Sequence, residues 1–199
     1  MNLIAFDLDN TILDYEPALR QLKMERSELR AIDAENKSDL KSYVISEFGE
    51  DYWTELQGHL YTGYVKYASI DAEFLHLLEY LKSIKWRSSI ISHKTNLPYM
   101  GPQLNMRDCA LARLESDGIH NLVTDGIHFF ETKKEKVEYI NTIKPQIFVD
   151  DLIEILNLLS KNIKAILFSN TTLSSDSGFP SISNWTQLRK YVEVGIALD

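Results

Sequence analysis

From residue 88 onward, short apolar runs alternate with helical patterns. Segments 88–91, 127–130, 147–149 and 165–168 read as strands, and 3–6 near the N-terminus makes a fifth. Strands separated by helices pair in parallel, so the alternation predicts an α/β chain built on a parallel sheet. The stretch between Ile12 and Lys85 interrupts this rhythm with roughly 70 residues that hold no convincing strand, far beyond an ordinary connection. Helical patterns cover 16–33, 37–48, 52–67 and 72–84, the last apolar enough (Phe74, Leu75, Leu77, Leu78, Tyr80, Leu81) to return the chain to the core. The expected organisation is an α/β core from residues 1–14 and 85–199 with a helical insertion, 15–84.

The 199 residues are 44% hydrophobic, enough to bury one core and an insertion. A formal net charge of -8 leaves no basic stripe, which argues against nucleic-acid binding and for a small substrate. The one cysteine, Cys109, lies in an amphipathic pattern and reads as a small buried hydrophobe. A lone thiol excludes internal disulfides and fits a reducing cytoplasm. There is neither a charged n-region followed by an apolar stretch nor a run of about 18 apolar residues, so neither secretion nor a membrane partner is expected.

Chemistry is concentrated where the strands run out. Leu3-Ile4-Ala5-Phe6 leads into Asp7-Leu8-Asp9-Asn10-Thr11; on an extended segment Asp7 and Asp9 point to one side and Leu8 to the other. At about 4 Å and an effective dielectric near 20, two such charges repel by roughly 4 kcal/mol. A cation, a shared proton or a turn must relieve them; the plain alternative is that Asp and Asn start a turn and cap the next helix. The arrangement recurs, however. Strand 88–91 runs into Ser92, strand 147–149 runs into Asp150-Asp151, and Thr132 reads as the N-cap of a helix that opens with lysines. In a doubly wound sheet, residues directly after different parallel strands converge at one edge. Several carboxylates suit a hard divalent cation such as Mg²⁺. A hydroxyl and a lysine suit the equatorial oxygens of a phosphoryl group.

These four pieces, in this order, resemble the haloacid dehalogenase (HAD) superfamily of hydrolases, over nearly the whole chain. The Asp-x-Asp-x-Thr motif of that superfamily is matched by Asp7, Asp9 and Thr11, its Ser or Thr after the second core strand by Ser92, its lysine by the helix opening, and its acidic pair by Asp150 and Asp151, with Glu154 one turn on. The resemblance implies a Rossmann-like three-layer α/β/α core with a helical cap, the latter matching the helices of the insertion. It implies a Mg²⁺-dependent phosphatase in which Asp7 attacks phosphorus to form an aspartyl-phosphate, while Asp9 acts first as general acid and then as general base. The metal would be held by Asp7, the backbone carbonyl of Asp9 and Asp150, with Asp151 acting through water or by orienting Asp150. Ser92 and the lysine would hold the phosphoryl oxygens, and Thr11 is grouped with the substrate-binding residues. Because Asp9 is acidic, phosphate ester chemistry is favoured over dehalogenation.

Lys133, Lys134 and Lys136 fall in one helical turn. Lys133 is preferred as catalytic because it follows the N-cap and has Val137 and Ile140 on its stripe; Lys136, with Ile140 and Ile143 at the same offsets, is the second choice. His93 and Lys94, directly after Ser92, are candidate substrate contacts. Tyr61, Tyr64 and Tyr67 recur every third residue and read as a packed face in preference to a stacking platform. Gly58 and Gly63 bracket the same region and could let it move. No paired histidine spacing indicates zinc, and no glycine-rich phosphate loop is present. Ser175-Asp176-Ser177-Gly178 reads as a flexible turn, and Asn184 as the cap of a final helix. Two competing readings remain: a phosphotransferase or mutase on the same fold, and a non-catalytic protein that binds a phosphorylated ligand or a partner protein.

Overall fold

A computed structural model describes residues 2–34, 36–169 and 178–196. The chain divides into two compact units: Met1–Ile12, Ile70–His93 and Gly118–Asp199 form one, and Leu13–Ser69 with Lys94–Asp117 form the other.

The first unit is built on a six-stranded, all-parallel sheet: β1 (Leu3–Phe6), β2 (Arg87–His93), β3 (Ile127–Phe130), β4 (Ile147–Asp150), β5 (Lys164–Phe168) and β6 (Ser181–Ile182), in spatial order β3-β2-β1-β4-β5-β6. The order reverses at β1, where successive strands leave toward opposite edges, and at such a switch point the loops part to leave a crevice beyond the strand C-termini. Both faces are covered, as parallel strands require. Ala5, Ile91, Phe148 and Leu167 turn to one face and join Val137 and Ile140 of the helix Lys133–Ile143 and Ile155 and Leu156 of the short helix Ile153–Leu156. On the other face Phe6 and Phe168 meet Phe74, from the helix Ala72–Ser83, and Trp185, from the helix Trp185–Ile196. These four rings pack with centroids 4.7 to 5.7 Å apart. The result is the expected three-layer α/β/α arrangement. The sixth strand was not anticipated, because two residues carry no periodicity. Asn184 does cap the last helix, its Oδ1 accepting from the Gln187 amide at 3.0 Å. The turn read at Ser175 to Ser177 lies outside the described residues.

The second unit is helical, with α1 (Glu16–Glu25), α2 (Ser27–Arg30), α3 (Lys37–Phe48) and α4 (Glu50–Tyr61), joined by α6 (Met106–Ser116). In chain order the helices of the first unit are α5 (Ala72–Ser83), α7 (Lys133–Ile143), α8 (Ile153–Leu156) and α9 (Trp185–Ile196). The helix expected over 16–33 is broken at Arg26, whose extended backbone (φ -98, ψ 111) ends α1. The one expected over 52–67 stops at Tyr61 and resumes as a 3₁₀ turn.

The boundary expected at residue 84 is corrected in two ways. Helix α5 groups with the sheet because Phe74, Leu77, Leu78 and Leu81 are buried there. Residues 94–117, expected in the core, group with the helices. Two contacts tie this segment in: Arg113 Nε donates to the Ala68 carbonyl at 2.9 Å, and Gly58 lies so close to Met100 that a Cβ added to it would fall 1.9 Å from the Met100 carbonyl oxygen. Gly58 is thus required for close approach, not for movement. Tyr61 packs edge-on against Tyr15 at 5.0 Å, while Tyr67 is 40% exposed, so the tyrosine stripe is only partly a packed face. Cys109 is half-buried, less enclosed than expected. Among the described residues no helix is long and apolar enough to cross a membrane.

Candidate active site

Strand register sets the geometry. Phe6 of β1 pairs with Val149 of β4, so Asp7 and Asp150, each one residue further on, stand side by side; neighbouring strands lie about 4.8 Å apart. Phe6 also pairs with Ile90 of β2, so Ser92 is staggered from Asp7 by a single residue. That puts their backbones about 6 Å apart. Asp7 shares the alternation of Ala5, and Asp150 that of Phe148, so both carboxylates emerge on the face covered by α7.

Helix α7 supplies the cation. Thr132 closes a capping box with Glu135, which fixes the first turn. Lys136, 2% exposed, reaches the sheet edge: its Nζ donates to Asp7 Oδ1 at 2.5 Å and to Asp150 Oδ2 at 2.6 Å. The preference for Lys133 is therefore corrected. Lys133 lies at the surface and pairs with Glu154. Side chains on a helix lean toward its N-terminus. From the first helical position Lys133 leans past the end into solvent, whereas Lys136, one turn further in, leans back over the strand ends.

Asp7, Asp150 and Asp151 form a group whose ligand oxygens all lie within 4.8 Å of one another, the donor set a hard divalent cation takes. Asp151 thus stands with the candidate ligands, more directly than the sequence suggested. Asp9 contributes no carboxylate to this group; its expected contribution is a backbone carbonyl. Asp150 Oδ1 accepts from the Leu152 amide at 2.8 Å, which fixes that side chain.

Burial dominates the electrostatics. It raises the Asp7 carboxyl well above the ordinary carboxylate range; Lys136 pulls it down, and Asp150 and Asp151 push it up. Burial and the neighbouring Asp150 raise Asp151 to about 6. Burial works against the charged form of Lys136, but Asp7 and Asp150 more than offset this, and the ammonium is held well above its ordinary range. The carboxylates hold the ammonium in its charged state, whereas burial leaves Asp7 and Asp151 easier to protonate than free carboxyls.

Two buried hydroxyls lie on the segments that carry these residues, Ser92 on β2 and Thr11 four residues after Asp7. Ser92 Oγ and Thr11 Oγ1 have no hydrogen-bond partner, although both residues are almost fully enclosed. A buried orphan hydroxyl costs about 1–3 kcal/mol unless something satisfies it, and an incoming anion would. Thr11 lies within a turn closed by the Ile12 amide on the Leu8 carbonyl at 2.9 Å. Within that turn Asn10 adopts a left-handed backbone, φ 62, which Asn tolerates better than most residues. His93 Nε2 lies 3.1 Å from the Glu131 carbonyl oxygen, which can only accept, so Nε2 carries the proton. Burial lowers its pKa; the Glu131 contact raises it, and Lys133 and Lys136 lower it further. Lys94 belongs to the helical unit; its Nζ sits 4.6 Å from the Tyr61 ring centroid, and its carbonyl accepts from Arg107 Nε at 2.8 Å.

Comparison with solved structures matches the topology over nearly the whole chain. A protein of Clostridium acetobutylicum described as a predicted phosphatase is 17% identical with TM-score 0.65, the alignment covering 97% of this chain and 98% of that one. The chain has the haloacid dehalogenase fold. A Bacillus subtilis protein assigned as a HAD hydrolase and solved with magnesium bound is 16% identical, TM-score 0.63, over 96% of this chain and 98% of its own. One of Thermotoga maritima assigned as a β-phosphoglucomutase is 14% identical, TM-score 0.61, over 98% and 99%. No family model matches the chain, and no curated protein matches its sequence. At these identities the likeness concerns the fold; what the site does must be argued from its own residues.

Proposed function

We propose that this chain is a Mg²⁺-dependent phosphoester hydrolase that works through an aspartyl-phosphate on Asp7 and acts on a small phosphorylated metabolite. The observation that carries the reading is the meeting, at one sheet edge, of Asp7, Asp150 and Asp151 with buried Lys136 and the unsatisfied buried hydroxyl of Ser92. Asp7, Asp150 and Asp151, with the Asp9 carbonyl, would hold the cation, whose chemistry when bound is to neutralise charge on the phosphoryl oxygens and keep Asp7 ionised despite its burial.

The chain's own groups then divide the work. An Asp7 oxygen forms a bond to phosphorus as the ester P–O bond breaks, and Asp9 gives its proton to the departing alkoxide. Water next adds to phosphorus, Asp9 takes its proton, and the Asp7 acyl-phosphate bond breaks to release inorganic phosphate. Lys136, Ser92 and Thr11 donate to the equatorial oxygens throughout, where charge is largest in the transition state. His93, protonated on Nε2, keeps Nδ1 as an acceptor for a substrate hydroxyl. The helical unit is read as the counterpart of the HAD cap. A cytoplasmic location belongs to this reading, supported by the single cysteine.

The test is a panel of sugar phosphates, nucleotides and phosphorylated acids assayed with Mg²⁺ for free phosphate. Wild type is expected to turn over at least one member, chelation to abolish this, and Asp7→Asn to be folded but inactive. Full turnover by Asp7→Asn would remove Asp7 as nucleophile. Phosphoryl transfer to a sugar hydroxyl shares the first half-reaction; phosphorylated acceptor without stoichiometric free phosphate would assign it instead.

A further inference from the structure

The ammonium of Lys136 and a divalent cation draw on the same carboxylates. Nζ is bonded to one oxygen of Asp7 and one of Asp150, and those two residues supply two of the three carboxylates able to surround a metal. An exposed lysine would swing aside when a second cation arrived. Lys136 cannot. Its side chain is 2% exposed, its Nζ lies 5.6 Å from the Phe148 ring centroid, and its backbone amide bonds to the Thr132 carbonyl at 3.1 Å within the capped first turn. Any dication at this cluster therefore binds with a fixed positive charge alongside it.

We propose that Lys136 is a built-in competitor for the cation site: it holds the three-carboxylate cluster together without metal and, by the same contacts, weakens the affinity of the cluster for a divalent ion. This deepens the function proposed above and rests on its assignment of Asp7, Asp150 and Asp151 to the metal. The charge balance explains the design. With all three carboxylates ionised, as metal coordination requires, they and the ammonium carry -2, which one dication cancels; without the ammonium the same ionised ligands carry -3 and attract a dication more strongly. Lys136 would thereby make metal binding readily reversible and folding independent of it.

The experiment replaces Lys136 with Met, which keeps much of the shape and removes the charge, and titrates Mn²⁺ into the purified protein by calorimetry. Lys136→Met is expected to bind Mn²⁺ about ten- to hundredfold more tightly than wild type, the range by which groups adjoining metal ligands commonly change affinity. Its melting temperature should fall in chelator and rise on adding Mn²⁺ by more than that of wild type. Lys136→Arg, which retains the charge, should bind Mn²⁺ about as weakly as wild type. Lys134→Gln, a charge change at a position 85% exposed, should leave affinity unaltered. Should Lys136→Met unfold in chelator, the Mn²⁺ concentration that restores its helical signal reports the affinity instead. Equal or weaker binding by Lys136→Met, or tightening by Lys136→Arg to the same extent, overturns the proposal. If wild type binds Mn²⁺ and hydrolyses phosphoesters while Lys136→Met does not tighten, only this inference falls. If neither protein binds a cation, the metal assignment falls with it.

Discussion

Replacing Asp151 with Asn should stabilise the metal-free protein at neutral pH, although it removes a charge from the candidate site. Burial and the nearby Asp150 raise the folded-state pKa of Asp151 from 3.8 to about 6. Between those values the folded protein keeps a proton that the unfolded chain has released, so stability falls as pH rises through the window and levels off above it. A gap of about two units at 1.36 kcal/mol each makes the full loss about 3 kcal/mol. Asn is neutral throughout and escapes it. In chelator the variant should match wild type below about pH 4 and exceed it by up to about 3 kcal/mol above pH 6. Asp7 shifts in the same direction, and because the Asp151 charge adds to that shift the variant also relieves part of the slope that Asp7 contributes. Urea unfolding from pH 4 to 8, followed by the fluorescence of buried Trp185, measures both curves. Curves that run parallel across pH 4 to 6 would refute the reasoning, because a carboxyl with an ordinary pKa contributes no slope there. Saturating Mg²⁺ should reverse the order, since the variant loses a ligand.

Lys133→Gln should leave turnover within a few-fold of wild type, because it breaks only an exposed pair with Glu154. Lys136→Gln should lower it by about a hundredfold or more, the cost of removing a transition-state donor; steady-state rates on any accepted phosphoester separate the two. Gly58→Ala gains about 1 kcal/mol of helix propensity but drives a methyl into the Met100 backbone carbonyl. Overpacking against backbone costs about 1–3 kcal/mol or more, so thermal unfolding should show net destabilisation. Asn10→Ala should destabilise by about 1 kcal/mol because its φ of 62 penalises a Cβ that lacks a local polar partner. Asn10→Gly should lose less, and denaturant midpoints for the pair check the order.

The parts of the fold legible in the sequence are those that local pattern determines. A strand buried on both faces tends to be apolar, so β1, β4 and β5 announced themselves, and β2 did through Ile90 and Ile91 despite its buried serines. The polar residues at their C-terminal ends stood out by contrast. Once parallel pairing was inferred, the closeness of Asp7, Ser92 and Asp150 followed from topology, since positions within a residue of the same register on paired strands are neighbours in space. What escaped was set by contacts between distant residues. Nothing local at Arg26, neither Gly nor Pro, marks the break between α1 and α2. Gly58 looks like a point of freedom until Met100, more than forty positions away, is seen against it. Residues 94–117 follow a core strand in sequence yet group with the helices.

The choice between Lys133 and Lys136 shows where periodicity stops being informative. Both lie on stripes that bury Ile140, so the 3.6-residue repeat ranks them equally. The deciding quantity is the direction in which a helical side chain leans. Because it leans toward the N-terminus, the residue that reaches the sheet edge is the one a turn inside the helix, and the residue nearest the cap overshoots. The same lean explains why Lys136 can be buried at all: it carries the ammonium to Asp7 and Asp150, which offset the cost of enclosing the charge. At a strand-to-helix site of this kind, a lysine at the fourth helical position is therefore a better candidate than one at the first.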